Sequence, residues 1–126
     1  MARIPAWNAV LTRESVSKGK RNVITSVVRA NTEAMHFIKT NREESKAIFS
    51  KYLNLKDPEG LDRAVRAYAK IFPEVPTPAP EGVKTLLDDL APRNPKAQVA
   101  DPRLYVDLTF VRELESSGFI KRLYGK

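Results

Sequence analysis

A single stretch of this 126-residue chain alternates as a β-strand does, and one strand cannot make a sheet. In residues 6–12 (Ala-Trp-Asn-Ala-Val-Leu-Thr), Trp7, Ala9 and Leu11 share one face and Asn8, Val10 and Thr12 the other. An unpaired strand leaves N–H and C=O groups without partners, so it must pair with another molecule or belong to a sheet encoded elsewhere. The expected fold class is mainly α with one short N-terminal β-strand.

The rest of the chain reads as helix with legible punctuation. Residues 13–18 make a turn or two ending at Gly19. Residues 20–40 carry Ile24, Val27, Val28, Asn31, Ala34, Met35 and Ile38 along one stripe, about 30 Å of helix. Asn41 with Glu44 reads as a capping pair for a helix over 42–53 that turns Ala47, Ile48 and Tyr52 inward. Asp57 caps the next, over 58–72, with Pro58 in its first turn and a stripe of Leu61, Val65, Tyr68, Ile71 and Phe72. Four prolines between 73 and 80 predict an extended strap over the surface. Val83, Leu86, Leu87 and Leu90 predict a short buried helix over 80–90, and residues 92–101 read as irregular. Asp101-Pro102 opens a single turn through Leu104 and Tyr105. Asp107 caps a helix over 108–117, closed by Gly118 in the left-handed position. Phe119, Ile120, Leu123 and Tyr124 make the tail too apolar to hang free.

The chemistry is defined largely by what is missing. The chain has no Cys and one His, which removes thiolate nucleophiles, thiolate zinc sites, disulfides and multi-His metal sites. The paired carboxylates Glu43/Glu44, Asp88/Asp89 and Glu113/Glu115 lie one or two residues apart on helices and so point in different directions. No phosphate-loop, dinucleotide or nucleophile-elbow motif occurs. The expectation is a binding protein, not an enzyme, with no cofactor and no metal. His36 falls about 120° from Ile24 on the wheel, beside Arg29 and Glu33, and is expected on the surface. Asn31 lies within the apolar stripe, where a buried amide would need partners.

The net charge of +7 is uneven: residues 1–42 hold eight Lys/Arg against two Glu. A basic patch suits nucleic acid or an acidic partner, and a free-standing basic helical module of that kind is the alternative reading. Against it, Arg13, Lys18, Lys20, Arg21, Arg29, Lys39 and Arg42 are dispersed, with no aromatic among the Lys18–Arg21 cluster for bases to stack on. The pattern therefore argues for a solvated face. No apolar run approaches the roughly 20 residues of a bilayer span, so an integral membrane protein is not expected. The first residues lack the apolar stretch of a secretory signal.

Four segments occur in an order and spacing that carry a family resemblance. They are residues 27–46 (from Val-Val-Arg-Ala-Asn-Thr-Glu-Ala to Glu-Glu-Ser-Lys), 68–73 (Tyr-Ala-Lys-Ile-Phe-Pro), 81–88 (Glu-Gly-Val-Lys-Thr-Leu-Leu-Asp) and 110–124, opening Phe-Val-Arg-Glu-Leu-Glu-Ser-Ser-Gly-Phe. Together they resemble the C-terminal end of ABC-importer solute-binding proteins of the nitrate/sulfonate/taurine and thiamine-precursor group. The resemblance spans residues 6–125; no one motif is diagnostic, but the ordered series is.

It implies that residues 1–126 are a single partial domain, the C-terminal fragment of an α/β lobe of the periplasmic-binding-protein type 2 class. Such proteins close two lobes on a small solute and deliver it to a permease. The implied partners are a small organic solute (a sulfonate, nitrate, taurine or a pyrimidine) and an ABC permease, both contingent on a missing N-terminal part. The implied location is periplasmic or extracytoplasmic, against cytoplasmic for the chain as it stands without a signal. By the same resemblance residues 5–8 emerge near the hinge, which makes Trp7 and Asn8 the candidate solute-binding residues, although a core anchor is the better reading of Trp7. The family offers no fixed residue to match to either.

Overall fold

The computed structural model describes residues 10–126, and its regular structure there is helical, with no strand among the described residues. Of the expected strand over 6–12, residues 10–12 carry no regular structure and the remainder lies outside the described residues. The helices are α1 (Glu14–Gly19), α2 (Arg21–Thr40), α3 (Arg42–Leu53), α4 (Pro58–Ile71), α5 (Pro80–Leu90), α6 (Pro95–Gln98), α7 (Thr109–Ser116) and α8 (Phe119–Leu123), with a 3-10 turn at Pro102–Tyr105.

Three helical turns start with the same local device. Asp57, Asn94 and Asp101 each precede a proline whose missing N–H costs nothing in a first turn, and each side chain accepts from the backbone N–H two residues on. Asp57 also accepts from the Gly60 N–H, at 2.9 Å. A Cβ on Gly60 would stand 2.6 Å from the Asp57 Oδ2, so glycine there lets the cap close. The Asn94-Pro95 pair corrects the expectation of an irregular 92–101: residues 95–98 form α6. Asn41 is a second correction. It makes no side-chain cap for α3, and its Nδ2 donates instead to the Thr40 Oγ1 at 2.9 Å, closing α2. Asp107 does serve the start of α7, accepting from the Thr109 N–H and hydroxyl at 2.9 and 2.6 Å.

α2 is the spine. It packs against α1, α3, α4, α7 and α8, and its buried line runs through Ile24, Thr32 and Met35 with Val28 beside it. That line is rotated from the predicted stripe: Val27 and Asn31 face solvent, so Asn31 is hydrated and needs no protein partner. Thr32, fully buried, satisfies its hydroxyl by donating to the Val28 carbonyl at 2.8 Å. At the far side Leu114, Phe119 and Ile120 make a buried cluster with Val28, Leu123, Tyr124 and Val75 of the proline strap. Gly118, at φ +71°, turns the chain between α7 and α8 so that this cluster can form. The docked tail also corrects His36, which is half-buried with its ring edge-to-face on Tyr124, centroids 4.7 Å apart.

α5 packs on both α6 and the 3-10 turn, and none of the three packs on another of the described helices. They join the α2-centred bundle through the strap and through residues 106–108. No helix among the described residues is long and apolar enough to cross a membrane.

Candidate functional site: an open helical face

Burial stops short of the apolar pattern. On α4, Leu61 and Val65 are buried, Val65 to 1% exposure, while Tyr68 and Ile71 of the same predicted stripe are open. On α3 the expected inward residues Ala47, Ile48 and Tyr52 are all exposed, and Ser45 takes the buried place. A side chain as small as serine admits the close packing of α3 on its neighbours, which rotates the larger apolar residues outward. Leu86 and Leu90 of α5 are likewise uncovered.

Two depressions lie beside α4, one against α3 and one against the end of α2. The first, about 340 Å³, is lined by Ile48, Phe49, Tyr52 and Leu53 of α3 and Tyr68 of α4, with no charged side chain in its wall. Its aromatic rings are ordered by edge-to-face contact of Phe49 with Tyr68 (5.7 Å) and by the tilted pair Tyr68 and Phe72 (5.4 Å). The second, about 380 Å³, has an apolar floor of Ile38, Val65 and Ala69 and a rim of Lys39, Arg42, Arg66 and Lys70.

Three cations of that rim hold structural partners. Asp62 accepts from the Arg42 guanidinium through Nε at 2.8 Å and through a second, shorter contact, and pairs with Arg66 at 2.7 Å. Lys46 stands 4.0 Å from Asp62 and 2.6 Å from Glu43. Lys39 donates to the Ala69 carbonyl at 2.8 Å. That carbonyl would ordinarily take the N–H four residues on, but the residue there is Pro73, which has none. Lys39 thus completes the end of α4.

The Arg42 hydrogen bond, ahead of its charge and that of Arg66, holds the Asp62 carboxyl below its ordinary value. A carboxyl lowered in the folded state adds stability above the unfolded-state value near pH 4 and loses it as pH falls through the lower folded value. Asp62→Asn is therefore expected to flatten the acid side of a stability-versus-pH curve, measured by urea unfolding between neutral pH and about pH 2. An unchanged acid limb would show that the α3–α4 network adds nothing to stability.

The sequence-predicted candidates Trp7 and Asn8 lie outside the described residues. The sequence alone does not mark the aromatic wall of Phe49, Tyr52 and Tyr68 as a site, because aromatic residues at helical spacing read first as core. Its sequence signal is the width of the apolar pattern in α3: Ile48, Phe49, Tyr52 and Leu53 cover more of the helix than one stripe needs. Of the paired carboxylates, Glu43, Asp88 and Glu113 are engaged in ion pairs with Lys46, Lys84 and Arg21. Among the described residues no three His, Cys, Asp or Glu gather in a metal-binding group. No family model matches the chain, and no curated protein or solved structure matches it either.

Proposed function

We propose that this chain is the C-terminal helical portion of an ABC-importer solute-binding protein for a small organic solute, of the nitrate/sulfonate/taurine and thiamine-precursor group. In this reading it is part of the shell of an α/β lobe of the periplasmic-binding-protein type 2 class, working outside the cytoplasm with a permease. It does not hold a solute by itself. The ordered series of segments from residue 27 to residue 124 supports the reading. The observation that carries it is apolar patterning left uncovered on three helices: Ile48 and Tyr52 of α3, Tyr68 and Ile71 of α4, and Leu86 and Leu90 of α5 are patterned for burial yet open, as helices are when the layer they cover lies elsewhere. The alternative, a basic module for nucleic acid or an acidic partner, is weaker because Lys39, Arg42 and Arg66 have structural partners.

The experiment is a thermal-shift screen with taurine, alkyl sulfonates, nitrate and pyrimidines. It is run on the chain alone and on the chain fused behind the N-terminal part of a binding protein of this group. No shift is expected for the chain alone, and a rise in Tm with one solute class for the fusion. A shift with the chain alone overturns the incomplete site; a folded fusion that responds to no solute overturns the assignment.

A further inference from the structure

We propose that residues 80–105 are a hinged arm, which opens as one cooperative unit while the bundle around α2 stays native. The device rests on packing within this chain and stands or falls separately from the transport reading.

The arm is held mainly to itself, and lightly. α5 packs on α6 and on the 3-10 turn, and among the described residues none of the three packs on a helix of the bundle. Several of its polar contacts are short-range: Thr85 donates to the Glu81 carbonyl at 3.1 Å, Gln98 to the Ala91 carbonyl at 3.4 Å, and Arg103 pairs with Asp101 at 2.7 Å. Of the ten buried hydrophobic residues among those described, nine lie in α2, α4, α7 and α8, and Ala97 alone lies in the arm. The larger apolar side chains Leu86, Leu90, Val99, Leu104 and Tyr105 of the arm are open, so they do little to hold it shut. A segment with so few buried apolar contacts opens at a fraction of the global unfolding free energy, often as one supersecondary unit.

The chain is clamped to the bundle just outside both ends of the arm, which confines the opening to it. Before the arm, Val75 packs on the Leu114, Phe119 and Ile120 cluster, and Glu74 pairs with Lys126 at 2.5 Å. After it, Asp107 accepts from the Thr109 N–H at 2.9 Å, at the start of α7. Between clamps and arm lie residues 76–79, without regular structure, and Val106, an extended residue whose N–H reaches the Arg103 carbonyl only at 3.4 Å. Pro76 and Pro78 have no N–H to bond, so little breaks at the hinges when the arm opens.

The test is native-state hydrogen exchange of the whole chain, read by mass spectrometry in urea below the unfolding transition. Amides across the arm are expected to exchange together, with measurable protection at least about 30-fold below that of α2 and α7. Ala97→Asp puts a charge in the arm's one buried apolar place and should lower the arm's protection by at least about 10-fold, while α2 keeps its own within about 2-fold. Arm and bundle amides exchanging at one common opening free energy in the wild type would overturn the proposal. So would an Ala97→Asp variant that lowers protection in α2 as far as in the arm, or one that changes neither.

Discussion

Phe110→Ala is expected to lower the unfolding free energy by about 3–5 kcal/mol, the cost of emptying a buried aromatic site. Phe110 is 4% exposed, on the first turn of α7, with the Arg21 guanidinium of α2 stacked 4.4 Å from its ring centroid. Arg21 also bonds Thr109 and Glu113, so α7 is fastened to α2 from both sides of the ring. Only ten hydrophobic residues are buried among those described. Small domains have about 5–15 kcal/mol in all, and a core this sparse belongs at the low end, so the variant should lose most of its helical signal near 25 °C. Urea unfolding followed by circular dichroism measures this, with Val99→Ala as control: Val99 is 87% exposed and its truncation should cost under about 0.5 kcal/mol. A loss under about 1 kcal/mol for Phe110→Ala would show that α7 is not part of the core.

Lys39→Met should cost about 1–2 kcal/mol although it removes a lysine, because its ammonium is the donor that stands in for the N–H Pro73 lacks. The methionine keeps the length of the stem and removes only the hydrogen bond. The last turn of α4 should then fray, seen as faster hydrogen exchange at the Phe72 amide, which donates to the Tyr68 carbonyl at 3.0 Å. Lys39→Arg keeps a donor and should recover part of the loss. If Lys39→Met leaves both stability and Phe72 exchange unchanged, the Ala69 carbonyl is satisfied by water and Lys39 is not a tie between α2 and α4.

The punctuation of the fold was legible because each signal is local. Asp57-Pro58, Asp101-Pro102 and Gly118 act through their own backbone, whatever packs around them, and helices begin or end where they stand. Asn94-Pro95 carries the same signal, inside a stretch whose lack of an apolar stripe reads as irregular. The inward faces were less legible, because burial depends on what else is present. α2 has apolar residues on more than one side, and the line through Ile24, Thr32 and Met35 wins because α4, α7 and α8 lie against it, leaving Val23 and Val27 open. α3 turns Ser45 inward and Tyr52 outward for the same reason. His36 could not be placed from α2 alone, since its neighbour Tyr124 arrives from the other end of the chain. The candidate site followed suit: Trp7 and Asn8 lie outside the described residues, and the aromatic face shows itself only as surface left uncovered.

The apolar faces of α3, α4 and α5 are open in a chain whose core is otherwise packed. Binding of the dye ANS to the native chain, diluted until it is monomeric, tests this most directly, with near-ultraviolet circular dichroism recorded on the same sample. Strong dye fluorescence is expected together with a fixed aromatic signal and cooperative unfolding, which separates an open face from a molten core. A native monomer with fixed aromatic signal and no dye binding would contradict it, because the faces would then be covered.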